Sequence, residues 1–296
     1  MNKQTRRLVT VLGVLLCGTA PLLAVEPPTA QPTLAQLLQG ADDKLAAGKF
    51  AEAEAEFHRA ETLAGGPCGE CLVGLAMVRA SESRWGSTQD LIEKAIPLLT
   101  SPHSLARAYN QLGVAYVKQG GGSHLAKAEE AMRKGVAQGG PWGEVTRRNL
   151  AQVLFLKESW AEAAQVAREA LAKAGSDEKA VADSRIVLCQ ARSHLPDELE
   201  SPGEAQKVEG NVTRPVKIAG SPPTEEARLA RVKGTVVVDG IIDREGCLRK
   251  LKLAKGLPKG LPDTVLRGLS SWVFSPATQE GKPVAVYYTL TINFNV

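Results

Sequence analysis

A pattern of small and bulky residues returns roughly every 34 residues along this chain, and it limits the folds that the chain can adopt. Each unit has a small residue, a turn followed by an aromatic residue, and then small and bulky residues at spacings of four and three. The four units carry these residues at Ala41, Phe50, Ala53, Phe57 and Ala60; at Ala76, Trp85, Ile92 and Ala95; at Leu112, Gly113, Tyr116, Ala128, Met132 and Gly135; and at Trp160, Ala163, Ala167 and Ala170. Pro67, Pro102 and Pro141 fall between the units, where a helix must stop. The pattern predicts a stacked array of helical units.

These positions resemble the tetratricopeptide repeat (TPR), and the resemblance covers residues 34–175. It implies two antiparallel helices per unit, with small residues where the helix backbones approach and large ones between successive pairs. Residues 177–194 have an apolar side and a charged side, which predicts a capping helix and a helical domain at 34–195. The resemblance also implies a concave groove for a peptide or protein partner. A plain scaffold is the alternative.

The N-terminus has the composition of a secretory signal peptide, predicted at 1–24. Basic residues precede an apolar run at 8–16, and small residues follow up to Ala24. No later segment approaches the length of a membrane span, which needs about 20 apolar residues. We therefore expect the chain in the periplasm, with an uncleaved N-terminal anchor in the inner membrane as the alternative.

Cysteines in that compartment meet oxidising conditions. Cys68 and Cys71 are three residues apart, a spacing that on a helix brings their α-carbons within disulfide range. A structural disulfide is the prediction, and free thiols or metal or redox chemistry are the alternatives. Cys189 and Cys247 are predicted to be buried, small apolar residues. The histidines show no paired spacing, and no metal site is predicted.

The hydrophobic period changes from about 3.6 residues to about 2 after an acidic segment at 196–210, which contains Pro and Gly and is predicted to be a linker. Alternating residues predict strands at 234–243 and 247–256, joined by a turn, and a long final strand at 282–296. An amphipathic helix is predicted at 261–272. The order strand, strand, helix, strand predicts a small α+β domain.

The same segments resemble the C-terminal domain of TonB-family energy transducers over about 208–296, and a domain is predicted at 211–296. The motif residues stand at Ala227, Arg228, Gly234, Val236 to Val238, Asp243 to Gly246, Trp272, Phe274, Pro276, Ala277, Gly281, Pro283, Val284 and Phe294. The resemblance implies a ββαβ fold whose exposed sheet edge pairs with an extended segment of a partner protein.

The resemblance places the partner-binding residues on the last strand. They are Val284, Val286, Tyr287, Tyr288, Leu290, Ile292 and Phe294. The chain departs from the family at residues 221–228, SPPTEEAR, which lack the tyrosine of the usual motif. It also has no long spacer, because a linker of roughly fifteen residues reaches at most about 50 Å.

Other classes of protein find no support in the sequence. It has no nucleophile elbow, zinc-protease motif or phosphate loop, so no enzyme, catalytic residue or cofactor is predicted. The net charge is only +4, without clusters of basic and aromatic residues, so no nucleic acid is expected as a partner.

The sequence therefore predicts a multidomain protein, a TPR-like helical solenoid followed by a TonB C-terminal-like domain. The expected function is that of a non-enzymatic adaptor of the cell envelope, linked to outer-membrane receptor transport. Three alternatives stay open. They are an anchored TonB energy transducer, a periplasmic thiol-disulfide protein using Cys68 and Cys71, and a homodimer formed through the last strand.

Overall fold

Helices build the first part of the chain and strands build the second in the computed structural model. The structure describes residues 31–195, 204–220, 234–255, 268–269 and 272–294. Outside the described residues lie the predicted signal peptide, the motif at 221–228, most of the predicted helix at 261–272 and the first half of the predicted linker.

Within residues 31–195 the helices follow one another as antiparallel pairs. They are α1 (Leu34–Ala46), α2 (Phe50–Ala64), α3 (Gly69–Ser81), α4 (Trp85–Ala95), α5 (Pro102–Gln119), α6 (Gly122–Gln138), α7 (Gly140–Leu156), α8 (Trp160–Lys173) and α9 (Glu178–Ser193). A short 3-10 turn at Ile96–Leu98 follows α4. The predicted TPR-like solenoid is confirmed, and α9 is a helix at the position for which a capping helix is predicted.

The repeated small and bulky residues explain why the helices stack. Those that are at most 3% exposed are Ala41, Ala53, Phe57, Ala60, Ala76, Ile92, Ala95, Ala128, Met132, Ala163, Ala167 and Ala170. The closest approach is at Gly74 of α3, where a β-carbon would lie 2.2 Å from the ring of Phe57. Only a residue without a side chain lets α3 pack this closely on α2.

The odd-numbered helices form the inner layer of the solenoid. Successive odd-numbered helices contact one another from α1 to α9, whereas contacts between successive even-numbered helices are sparse. When the helices of one layer lie closer together than those of the other layer, the stack curves, and the closely packed layer lies on the concave side. The concave side is therefore lined by α1, α3, α5 and α7.

The second part of the chain is a set of antiparallel strands. They are β1 (Val216–Ala219), β2 (Gly234–Ile242), β3 (Leu248–Lys255), β4 (Val273–Ser275), β5 (Ala277–Gln279), β6 (Lys282–Val284) and β7 (Val286–Phe294). The main sheet has the order β3-β2-β7, and β1–β4 and β5–β6 form two further pairs. One face of the main sheet carries the core, with Val238, Ile242, Val286 and Leu290 packed around Phe274.

The predicted hairpin is the pair β2–β3, and the predicted final strand begins as β6 and continues as β7. The two parts separate at Ala285, because β6 pairs with β5 while β7 pairs with β2. Part of the predicted linker also joins the strands. Gln206 forms a parallel bridge to Val286, and beyond the predicted linker Val212 forms an antiparallel bridge to Gln279.

The prediction for Cys189 and Cys247 was wrong in one respect. Both residues are buried, at 4% and 1% exposure, but they are bonded to each other as a disulfide. Cys189 lies on α9 and Cys247 directly before β3, 58 residues later. Arginines from the charged side of α9 contact the strand domain, and this packing brings the two sulfurs together.

Candidate protein-binding surfaces

The outer edge of β7 is the first candidate surface. Within the described residues β7 pairs with β2 on one side only, in continuous register from Ile242↔Val286 to Gly234↔Phe294. The amide of Tyr287 points away from β2 and donates a 3.0 Å hydrogen bond to the carbonyl of Gln206. Main-chain groups alternate in direction along an antiparallel strand. The main-chain groups of Thr289, Thr291 and Asn293 therefore point outward as well.

Gln206 covers only the beginning of this edge. Its amide donates to the carbonyl of Ala285 at 3.0 Å, and its carbonyl accepts from Tyr287. Along the rest of β7 no other strand in the described part of the chain is paired with the outer edge. This arrangement leaves a row of main-chain donors and acceptors in extended geometry at Thr289, Thr291 and Asn293.

The two edges of the main sheet differ in charge. The outer strand on the other side, β3, carries lysines at 250, 252 and 255 and an arginine at 249. Lysines on an edge strand discourage pairing with another chain. The sequence of β7, VYYTLTINF, contains no charged residue and no proline. Of the two edges, β7 is the one that carries no such protection.

The last-strand residues predicted to bind a partner occupy different environments. The side chains of Val286, Leu290 and Ile292 are buried in the core, and those of Val284 and Tyr288 are partly buried. Tyr287 is 48% exposed. Val284 belongs to β6, where it pairs with Ala277, and the side chain of Phe294 lies outside the described residues.

Sequence reasoning missed Thr289, Thr291 and Asn293, whose side chains are exposed on the sheet face opposite the core. Two cross-strand hydrogen bonds hold this part of β7 on β2. The hydroxyl of Thr289 donates to Asp239 at 2.6 Å, and the hydroxyl of Thr235 donates to Asn293 at 2.9 Å. The alternation of apolar and polar residues identifies these positions as exposed, but only the register shows that their amides face outward.

The concave side of the solenoid is the second candidate surface. A cavity of about 330 Å³ is lined there by Asp42, Leu45, Ala46, Met77, His103, Arg107 and Trp142. Arg107 of α5 is one of these lining residues and forms two hydrogen bonds with Asp42 of α1, at 2.6 and 2.8 Å. Its guanidinium also donates to the sulfur of Met77 and lies 5.9 Å from the ring of Trp142. These contacts connect four successive inner helices around one groove.

Cys68 and Cys71 lie at the start of α3 and form a disulfide in the structure. Cys68 is the N-cap residue, and its sulfur accepts a 3.2 Å hydrogen bond from the amide of Cys71. Both residues are buried, at 6% and 0% exposure. The sulfurs lie in a small core with Leu37 and Ala60, which joins the first two helix pairs.

Two buried carboxyl groups have pKa values shifted in opposite directions where the helical and strand parts meet. Burial raises the pKa of Asp243, against the opposing charge of Arg192. At the neighbouring Glu245 burial also favours the neutral form, but hydrogen bonds and charges from Arg168 and Arg192 outweigh it and lower the pKa.

No cluster of metal-ligating side chains occurs in the described part of the chain. None of the described helices combines the length and apolar character that a membrane crossing requires.

Comparison with known proteins gives different matches for the two parts of the chain. Residues 224–296 match the family model described as the Gram-negative bacterial TonB protein C-terminal. No curated protein matched the chain.

Solved structures align with the helical part. A structure of the Cut9–Hcn1 hetero-tetramer of the APC/C aligns at 21% identity over 54% of this chain, with a TM-score of 0.45, and this chain spans only 30% of that one. TPR-like repeats attributed to a kinesin light chain of Podosopora anserina align at 17% identity, covering 54% of this chain and 85% of that one, with a TM-score of 0.43. YrrB, a TPR protein with an unusual peptide-binding site, aligns at 14% identity, covering 55% and 87%, with a TM-score of 0.39.

Proposed function

We propose that this chain, a TPR-like solenoid followed by a TonB C-terminal domain, is a non-enzymatic protein-binding adaptor of the cell envelope. One partner adds an extended segment to the outer edge of β7, and a second partner occupies the concave groove of the solenoid. The adaptor works in the periplasm, where its cysteines are oxidised.

The unprotected outer edge of β7 carries this proposal. An added strand gains its affinity from main-chain hydrogen bonds, and it gains its selectivity from the side chains that flank the edge. At this edge Thr289, Thr291 and Asn293 supply the main-chain groups, and Tyr287 supplies an exposed aromatic side chain. The partner segment is therefore extended, short and able to pack an apolar residue on Tyr287.

The groove supports the second half of the proposal. Leu45, Ala46 and Trp142 provide apolar surface, while Arg107 and Asp42 offer a positive and a negative group between them. A peptide with a bulky apolar residue beside a polar one matches this lining. Such a ligand would bind by contacts to α1, α3, α5 and α7 together.

The partner we propose for the β7 edge is an outer-membrane receptor, which would connect the adaptor to transport. The test is a crosslinking pull-down from envelope extract with the full chain, compared with Thr291→Pro and Thr291→Ala. Proline removes the outward amide, whereas alanine keeps it. Receptors recovered by the wild type and Thr291→Ala, but lost with Thr291→Pro, would support the proposal. Equal recovery with all three proteins would contradict it.

An energy transducer anchored in the inner membrane is a second candidate, favoured by the family match of residues 224–296. It requires that the N-terminal segment remain attached. Sequencing the N-terminus of the purified protein decides between the two, because a mature chain that begins at residue 21 or 25 leaves no anchor.

A thiol-disulfide function of Cys68 and Cys71 is a third candidate, favoured by their position at a helix N-terminus, which stabilises a thiolate. We expect a structural bond instead, because both residues are buried. A reduction potential below about −300 mV would agree with a structural disulfide, and a potential near −200 mV would favour exchange chemistry.

A further inference from the structure

Another cavity lies where the helical part of the chain meets the strand part, and we call it the junction cavity. Its volume is about 410 Å³, within the usual range of small-molecule sites, about 300–1,000 Å³. Its lining comes from α8, from α9 with the turn after it, and from β3, and consists of Ala161, Ala164, Gln165, Arg168, Arg192, Leu195 and Arg249. Ala161, Gln165 and Arg168 are exposed, so the cavity is open to solvent on the α8 side.

Two of the lining arginines use only part of their hydrogen-bonding capacity. Arg168 donates to Glu245 from Nε at 2.6 Å and from Nη2 at 3.3 Å. Arg192 contacts both Asp243 and Glu245, and it does so through Nη1 alone. Neither carboxylate lines the cavity. Within the described residues, Nη1 of Arg168 and Nε and Nη2 of Arg192 therefore keep N–H donors that no protein atom accepts.

The positive charges around these two carboxylates outnumber the negative ones. Arg185 of α9 lies near them as a third cation. Burial lowers the pKa of Arg185, and the negative charges of Asp243 and Glu245 act against this effect. Three arginines, Arg168, Arg185 and Arg192, thus share two carboxylates, which leaves a surplus of positive charge beside the junction cavity.

An oxyanion has the chemistry that matches these donors. The planar guanidinium group forms charge-assisted hydrogen bonds with carboxylate and phosphate oxygens. The side chain of Arg192 is only 20% exposed, so salt screens its charge less than that of a surface arginine. The rest of the lining includes the apolar residues Ala161, Ala164 and Leu195. A ligand that satisfies both parts has an oxyanion at one end and a short hydrocarbon group at the other.

We propose that the junction cavity binds a small amphiphilic oxyanion, whose carboxylate or phosphate group is held by Arg168 and Arg192 and whose hydrocarbon group packs on the apolar lining. The bound anion contacts α8, α9 and β3 together. Because these elements belong to both parts of the chain, binding stabilises the contact between them by mass action. The site shares no lining residue with the concave groove or with β7, and it does not depend on what either surface binds.

NMR titration of the full chain tests the site with defined probes. Sodium hexanoate and hexyl phosphate carry similar hydrocarbon groups on different oxyanions, and hexanamide is an uncharged analogue. We expect both anions to shift the Nε–H signal of Arg192 until it saturates, and hexanamide to leave it unchanged. Acetate lacks the hydrocarbon group and should bind more weakly than hexanoate. The anion that binds more tightly identifies the head group that the site prefers.

Two variants and a matched control assign the binding to the cavity. Arg168→Gln should weaken the binding of both anions roughly 10- to 100-fold, which corresponds to the loss of a hydrogen bond to a charged group. Ala161→Phe fills the apolar part without changing the charge, so it should weaken hexanoate more than acetate. The control is Arg59→Gln on α2, which removes an arginine that is 60% exposed and pairs with Glu56 at 2.9 Å. It should bind the anions like the wild type.

Two outcomes would overturn the proposal. One is that neither hexanoate nor hexyl phosphate gives a saturable shift of the Arg192 signal. The other is equal affinity in Arg168→Gln and Arg59→Gln, which would mean that the anions follow the general positive charge of the chain. If Arg168→Gln does not fold, the comparison of hexanoate with acetate in the wild type and in Ala161→Phe decides the same question. None of these results changes the tests of the β7 edge.

Discussion

Arg192 Nη1 lies 2.7 Å from Asp243 Oδ2, and this pair connects the last helix of the solenoid with the first turn of the main sheet. The Asp243 side chain is only 4% exposed, so its charge depends on Arg192 and on two main-chain amides of its own turn. A helical array and a strand domain that could have been separate modules therefore share a buried ion pair.

Removing Arg192 should be costly. Arg192→Ala leaves the buried Asp243 carboxylate without its cation, a change that typically costs about 3–5 kcal/mol. Arg168→Ala is the control, because its pair with Glu245 involves a half-exposed arginine and should contribute about 1 kcal/mol or less. Urea unfolding at pH 7 measures both. Equal losses would contradict the special role of the Arg192–Asp243 pair.

The turn at residues 243–247 should tolerate no side chain at position 246. Gly246→Ala combines a left-handed backbone with a clash against the Phe274 carbonyl, and we expect a loss of about 2–4 kcal/mol in the free energy of unfolding. Gly281→Ala has a similar φ of +78° but open space around it, so it should lose only about 1 kcal/mol. Thermal unfolding of both variants measures the two losses, and their difference gives the contribution of the clash apart from that of the left-handed backbone.

Tyr116 should make the solenoid sensitive to alkali. Burial, with a hydrogen bond to Glu93, raises the pKa of Tyr116 to about 12 from 10.0. The folded protein therefore keeps a proton that the unfolded chain loses above pH 10, and stability falls as the pH rises from 10 toward 12. At pH 11 the loss relative to pH 9 should be about 1 kcal/mol. In Tyr116→Phe this extra loss should be absent; the same loss in both proteins would contradict the assignment.

The four cysteines of the described region should all be oxidised. The chain has five cysteines, and Cys68, Cys71, Cys189 and Cys247 form two disulfides. Thiol titration in denaturant without reductant should find no free thiol from these four, so that any signal comes from Cys17. Peptide mass mapping should recover Cys189 linked to Cys247. Linkage of either residue to Cys68 or Cys71 would disagree with the structure.

Periodicity predicted the larger elements well. The repeat of small and bulky residues identified the helix pairs because packing of Ala53 and Phe57 in the first unit and Ala163 and Ala167 in the fourth depends on spacing along a helix. Alternation identified β2, β3 and β7 for the same reason in strands. These signals are local, and each can be read from the residues of one element.

The relationships between distant residues could not be predicted in this way. The pairing of Cys189 with Cys247 depends on the docking of α9, and no local pattern reports it. The outward direction of the amides at Thr289 and Thr291 depends on the register of β7 with β2, which a shift of one residue would reverse. The sequence predicted that Leu290 and Ile292 bind a partner, but their side chains are buried. The candidate site is instead the main chain of the neighbouring residues Thr289 and Thr291.

A partner strand that joins the outer edge of β7 can be detected by crosslinking. A photoreactive residue is placed at Thr291, on the uncharged edge, or at Lys252, on the lysine-rich edge of the same sheet, in cells that express the full chain. We expect adducts with a short segment of another protein at position 291 and not at position 252, and we expect Thr289→Pro to abolish them. Equal labelling at both edges, or adducts at position 291 that persist in Thr289→Pro, would contradict it.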